Sequence, residues 1–268
     1  MIIKKENTSE FLGGDDIKLP TECSALRIDI GLAGEVPNAA KWLIETNDRF
    51  VVGVEPIDHH WDMLTNFSTA ETDRPYPEFP FVQLGKDTIE HNHLDLAKIN
   101  GRFLGIQCAI SDVEDLTYKT FYQMDRSGGA SGSSSLNEPT DLHPHKIEKV
   151  ITVPTIPLSS LLEKFKEPKI IEHVKTDCET HDFNVIKSAG PHRNRICFIS
   201  SEMTKNTHHH HGSYNQNDFL NFMAENGFKV IRKRWGIKTV NNGEVHFMNT
   251  KLTKYIKKNK YESTTFGL

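Results

Sequence analysis

Leu26–Gly34 reads LRIDIGLAG, and Phe50–Pro56 reads FVVGVEP. Each is an apolar, β-branched run that ends at an acidic residue and a turn, the pattern of a buried parallel strand feeding a helix. A glycine turn in that place lets backbone N–H groups approach a nucleotide-like ligand, and an acidic residue closing the next strand accepts both ribose hydroxyls. The pair therefore predicts an adenosine-containing cofactor, with Asp29, Gly31 and Gly34 at the first turn and Glu55 and Pro56 at the second. The first turn carries only the D-x-G-x-x-G half of a dinucleotide fingerprint, and no P-loop lysine follows it. Asp29 would repel a pyrophosphate but suits the cationic amino-acid end of S-adenosylmethionine (SAM). Methyl transfer thus leads hydride transfer.

Outward from these strands the chain alternates. PNAAKWLIET (37–46) and HHWDMLTNF (59–67) read as helices, and the proline-rich Arg74–Pro80 stretch excludes regular structure. RFLGIQCAIS (102–111) is apolar enough for one central strand, whereas DLTYKTFYQM (115–124) alternates as an edge strand or hairpin arm does. SGGASGSSSLNEP (127–139) has the composition of a flexible loop or lid that packs no core. VITVPTIPLSSLLEKF (150–165) predicts a strand, a proline break and a short helix, and IIEHVKTD (170–177) a further buried strand. DFNVIKSAG (182–190), RICFISSEM (195–203), NDFLNFMAENGF (217–228), KVIRKRW (229–235) and EVHFMNT (244–250) continue as helix, strand, helix and two closing strands. The alternation predicts an α/β, mostly parallel, doubly wound sheet with a small antiparallel appendage.

At 268 residues with 37% hydrophobic and 25% charged side chains, the chain can bury a full α/β core. One domain spanning 1–268 is expected, with a polar leader over 1–20 and a basic tail over 251–268. A formal charge of −4 weighs against a nucleic-acid-coating surface, although KLTKYIKKNK (251–260) gathers positive charge locally. Cys23, Cys108, Cys178 and Cys197 are widely spaced and mostly in apolar runs, so free thiols in a reducing compartment are expected. No stretch reads as a signal peptide or a bilayer span, which predicts a soluble cytoplasmic protein.

IDIG, VGVEP, AISD (109–112), GSSSL, VPTIPLSSLL and VKTDCETHDFNVIKSAG follow one another in an order that resembles the FkbM-like family of SAM-dependent methyltransferases, over roughly Ala25 to Val230. The family's KIDVEG-E-xx-VLKGA block is similar to Lys175–Gly190, matching Lys175, Asp177, Glu179 and Asp182. Thr180 and His181 stand where the family usually has a small Gly-Ala pair, and LAGEVPNA replaces the commoner ANIG ending of the first glycine loop. The resemblance implies a Rossmann-like class I methyltransferase fold and O-methylation, typically of a hydroxyl on a sugar or secondary metabolite.

The Asp177, Glu179, His181 and Asp182 cluster follows a buried strand, at the edge where open α/β sheets place ligands. Methyl transfer from a sulfonium to a hydroxyl needs an in-line geometry and a base for the hydroxyl proton. Asp177 is the first candidate for base or acceptor-orienting group, His181 the second, and Glu202 a carboxylate lining the acceptor site. Ser111 and Asp112 close another apolar run, where a carboxylate can accept the adenine amino hydrogens; a turn or N-cap role competes. No metal ligands are assigned, and His208–His211 reads as a loop feature in which metal binding stays open. The leading expectation is a SAM-dependent O-methyltransferase acting on a small-molecule or glycan acceptor. An RNA methyltransferase and a dinucleotide-dependent oxidoreductase are the alternatives, the second lacking any Tyr-x-x-x-Lys pair.

Overall fold

A computed structural model describes residues 1–32, 38–39, 42–43, 46–65, 82–84, 87–89, 101–125, 133–204, 209–235, 242–259 and 261. Gly34, the Arg74–Pro80 stretch and His208 lie outside the described residues.

The two opening runs form β2 (Ala25–Ile30) and β3 (Arg49–Val54), which pair in parallel with Ile30 opposite Val54. Every residue of β2 is buried, as a strand covered on both faces requires. An eight-stranded sheet grows on both sides of them. On one side lie β6 (Phe103–Ile106) and β1 (Ile2–Ile3). On the other lie β10 (Ile171–Thr176), β11 (Ile196–Thr204), β13 (Asn242–Asn249) and β12 (Phe228–Trp235). All are parallel except β13, which runs antiparallel to both β11 and β12. A second sheet holds β7 (Ala109–Ile110), β8 (Thr117–Met124) and β9 (Ile147–Ile156), and β4 (Val82–Leu84) pairs with β5 (Asp87–Ile89). The large sheet is mostly parallel, as the alternation predicts, and the small second sheet is mixed where an antiparallel appendage is expected, because β7 pairs with β9 in parallel while β8 pairs antiparallel.

The helices are α1 (Thr8–Gly13), α2 (Asp58–Thr65), α3 (Leu158–Glu163), α4 (Asp182–Ser188), α5 (Gln216–Glu225) and α6 (Thr253–Asn259), and Asn38, Ala39, Trp42 and Leu43 are helical too. Leu158, Leu161 and Leu162 on α3 and Val185 and Ile186 on α4 pack with Ile28, Val52, Leu104, Val174 and Ile199 of the sheet in the largest core cluster. Beneath the sheet, Glu172, 1% exposed, receives Arg27 at 2.9 and 3.0 Å and Arg49 at 2.5 and 3.3 Å. Two guanidinium forks on one carboxylate tie β2, β3 and β10 together at their amino ends.

Four expectations change. The run 102–111 is not one strand: β6 ends at Ile106, and β7 joins the second sheet by pairing with β9. Buried Gln107 makes the break, its side chain bonded to Asp58 and to the Lys5 backbone N–H. The leader supplies an edge strand, β1, and a helix, so it belongs to the fold. β9 runs through Pro154, whose missing N–H is tolerated opposite Tyr118, and the chain turns instead at Pro157, the residue before α3. The basic tail is partly docked, with Ile256 of α6 and Tyr261 packed against Ala25 and Cys197.

Candidate active site

Register aligns the ends of five parallel strands. Val54 is opposite Ile106 and Ile30, Ile30 is opposite Thr176, and Thr176 is opposite Ser201. The next residue on each strand is therefore Gln107, Glu55, Gly31, Asp177 and Glu202 in one row. The row lies along the carboxyl edge, where parallel sheets bind ligands. Hydrogen bonds stitch it: Gly31 N–H donates to Val54 O at 2.9 Å, Glu55 N–H to Ile106 O at 3.1 Å, and Asp177 N–H to Ile30 O at 3.0 Å.

Lys175 locks the centre of this edge. Its Nζ donates to Gly31 O at 2.9 Å and lies 3.3 Å from Asp29 Oδ1 and 3.6 Å from Asp177 Oδ2. Burial alone would lower its pKa, but Asp29 and Asp177 outweigh that and hold the ammonium above its usual range. Asp29 is wholly buried and also accepts the Ala39 N–H at 2.8 Å. Burial raises its pKa, opposed by Lys175 and by that N–H. In this structure Asp29 thus fixes the helix that follows the glycine turn. Gly31 has φ +81°, and a Cβ placed on it would sit 2.0 Å from the Asp177 carbonyl oxygen. Glycine is required because β2 and β10 converge there, before any ligand is considered.

Glu55 is 4% exposed, and its Oε1 accepts the Ile57 N–H at 2.9 Å and faces His60 Nδ1 at 3.1 Å. Pro56 then turns the chain toward Ile57, which packs against Ala109 of β7. Ser111 Oγ, fully buried, meets His181 Nε2 at 2.9 Å and Lys119 Nζ at 3.1 Å, while Asp112 pairs with Lys187 at 3.2 Å on the outside. Burial raises the Asp112 carboxyl, but the Lys187 ammonium overrides it and the net pKa is lowered.

His181 has both ring nitrogens engaged. Asn137 Nδ2 donates to Thr180 O and Oγ1 at 3.2 and 3.0 Å, which turns Asn137 Oδ1 toward His181 Nδ1 at 3.0 Å. His181 therefore carries its proton on Nδ1 and accepts from Ser111 at Nε2. Burial, then Lys119, lower its pKa to about 4. Ser135 Oγ also donates to Glu179 O at 2.9 Å, so the described end of the serine-rich segment is packed against the site. Glu179 and Thr180 both have positive φ, 48° and 72°. A glycine would sit at either position without strain; here Asn137 bonds Thr180 and Ser135 bonds the Glu179 carbonyl, and these bonds hold the turn.

Asp177 is the open carboxylate of the row, its side chain 46% exposed. Among the described residues, Asp177, Glu179 and Glu202 are the one group of three or more His, Cys, Asp or Glu whose ligand atoms lie within 4.8 Å of one another. Burial, then the charges of Asp177 and Asp182, push Glu179 up to about 8; burial and Asp177 push Asp182 up to about 7. Like charges this close favour a shared proton or a cationic partner. A carboxyl whose pKa rises from 4.5 to about 8 on folding favours the folded state below 4.5, and that stability is lost as pH rises through 8. Glu179→Gln is thus expected to match wild type near pH 4.5 and to exceed it by roughly 4 kcal/mol near pH 8. Urea unfolding across that range checks this, and a pH-independent difference would mean that Glu179 stays ionised throughout.

Sequence reasoning named Asp177, Glu202, Gly31 and Glu55, and the structure sets them in one row. It placed Glu179 in the cluster beside Asp177, but it missed Lys175 as a site residue although Lys175 lies in the matched block, and it missed Asn137 and Lys119, for which no local pattern exists. The methyltransferase FkbM domain family matches residues 42–230. That is well over half of the chain, which belongs to this family of methyltransferases. No curated relative matches it.

Proposed function

We propose that this protein is a SAM-dependent O-methyltransferase of Rossmann-like, doubly wound class I architecture, acting on a hydroxyl of a sugar or glycoconjugate. The observation that carries the reading is the carboxyl-edge row of Glu55, Gly31, Asp177 and Glu202 in a chain of the FkbM family. SAM, when bound, supplies an electrophilic methyl carried on a sulfonium. The residues present fit such a group: Glu55 closes β3 where ribose hydroxyls need an acceptor, and the net negative edge suits a sulfonium and an ammonium. In this reading Gly31, Gly34 and Asp29 shape the cofactor turn, and Pro56 leads the chain away from the ribose. Ser111 and Asp112 border the adenine. Asp177 takes the acceptor proton as the oxygen–carbon bond forms and the carbon–sulfur bond breaks, and Glu202 orients the acceptor. His181, with both nitrogens committed, positions Ser111 and the Thr180 turn and is the second candidate for base.

Mass spectrometry of a glycan panel incubated with the protein and SAM tests the reaction and acceptor class together. One added methyl with matching S-adenosylhomocysteine is expected, and release of S-adenosylhomocysteine only with RNA or a small non-sugar hydroxyl would overturn the acceptor. Glu55→Ala is expected to weaken SAM binding by about 1–3 kcal/mol, the scale of losing charge-assisted hydrogen bonds. Unchanged affinity by titration calorimetry would remove Glu55 from the cofactor site.

A further inference from the structure

The histidine-rich loop that the methyl-transfer reading leaves unused does not stand alone. Residues 209–211 run antiparallel to 138–140: Thr140 N–H donates to His209 O at 2.8 Å, His211 N–H donates to Glu138 O at 2.7 Å, and Pro139 and His210 form a β-bridge. This pairing places His143, sixty-six residues earlier in the chain, against the run. Its ring centroid lies 4.8 Å from that of His210 and 5.9 Å from that of His209, both edge to face. His210 is 3% exposed, and neither of its ring nitrogens has a hydrogen-bond partner. A buried imidazole carries one N–H and one lone pair whatever its tautomer, and leaving both unmet is costly unless a ligand meets them.

We propose that His143, His209 and His210 form a binding site for a transition-metal dication of the zinc class. Imidazoles select zinc and its neighbours over magnesium or calcium, which take oxygen donors. Two imidazoles on one tetrahedral ion hold their ring centroids about 5 Å apart, close to the spacings found here. His143 Nδ1 lies against the His145 backbone, 3.0 Å from its carbonyl oxygen and 3.1 Å from its N–H, so Nε2 is the nitrogen left to face a metal, and a metal there selects the tautomer whose Nδ1–H donates to that carbonyl. The backbones are already in place, and rotation of the rings about χ2 completes convergence, because among the described residues the imidazole nitrogens do not meet as the Asp177, Glu179 and Glu202 oxygens do. The site joins two loops, one of which carries Asn137, the partner of His181 and Thr180. An ion there braces the active-site turn from behind.

The test uses the full chain, produced without a histidine tag, titrated with Zn²⁺ alone and assayed for metal content after dialysis. Wild type is expected to retain one zinc per chain and to melt at a higher temperature with zinc than after chelation. His143→Ala, on a partly exposed loop, is expected to lose about tenfold or more in zinc affinity and the thermal gain, with its metal-free melting temperature unchanged. His210→Ala is expected to do the same, and His211→Ala, at an exposed position, to retain both. If His143→Ala binds zinc as wild type does, the linear histidine run alone is the ligand and the cross-loop site is refuted. No retained zinc in wild type refutes it as well. Neither readout depends on methyl transfer.

Discussion

Asp177→Asn is expected to lower single-turnover methyl transfer by about 10²-fold or more while leaving SAM affinity nearly unchanged. The substitution keeps size and shape but cannot take the acceptor proton. The backbone at 177 is held by its N–H to Ile30 O, which Asn retains, and the side chain is half-exposed, so the fold does not depend on the carboxylate. Its charge also raises the pKa values of Glu179 and Asp182, so the variant should be no less stable than wild type at neutral pH. Melting temperature, SAM affinity and single-turnover rate on one preparation separate the possibilities. A loss of stability with turnover preserved would make Asp177 structural and turn attention to Glu179 and His181.

Gly31→Val should damage the fold as well as the site. A left-handed φ costs a non-glycine residue about 1–2 kcal/mol, more when it is β-branched. The added Cβ would also overlap the Asp177 carbonyl oxygen at 2.0 Å, prying β2 from β10 where Lys175 bridges them. A destabilisation of about 3 kcal/mol or more is expected, with SAM binding lost. Gly31→Ala carries the same Cβ and should cost nearly as much. Urea unfolding of the two variants decides: if alanine costs under about 1 kcal/mol while valine abolishes SAM binding, the glycine serves ligand approach and not strand convergence.

The parallel strands and closing antiparallel pair were readable because buried strands of this kind are near-continuous apolar runs, and LRIDI, FVVGV, IIEHVKT and ICFIS are such runs. Residues that close adjacent parallel strands share an edge, and Asp177 and Glu55 are candidates on that ground. Other features leave no such trace. RFLGIQCAIS is buried throughout, so its apolar pattern is the same whether it serves one sheet or two, and only the hydrogen bonds of Gln107 reveal the break. β1 is two residues long, too short for any periodicity, and is a strand only because β6 offers an edge. The packing of Ser134, Ser135 and Asn137 contradicts their flexible composition, because Ser134 accepts the Met124 N–H of β8, and Ser135 and Asn137 bond to carbonyls of residues 178–180 that become available only once the turn forms. The left-handed Glu179 and Thr180 carry no glycine to announce them.

Equilibrium titration of the full chain with SAM, and separately with NAD, tests the central claim most directly. The carboxyl-edge row predicts saturable, one-site SAM binding that Glu55→Ala weakens about tenfold to a hundredfold, with no saturable binding of NAD. Saturable NAD binding without SAM binding would contradict it.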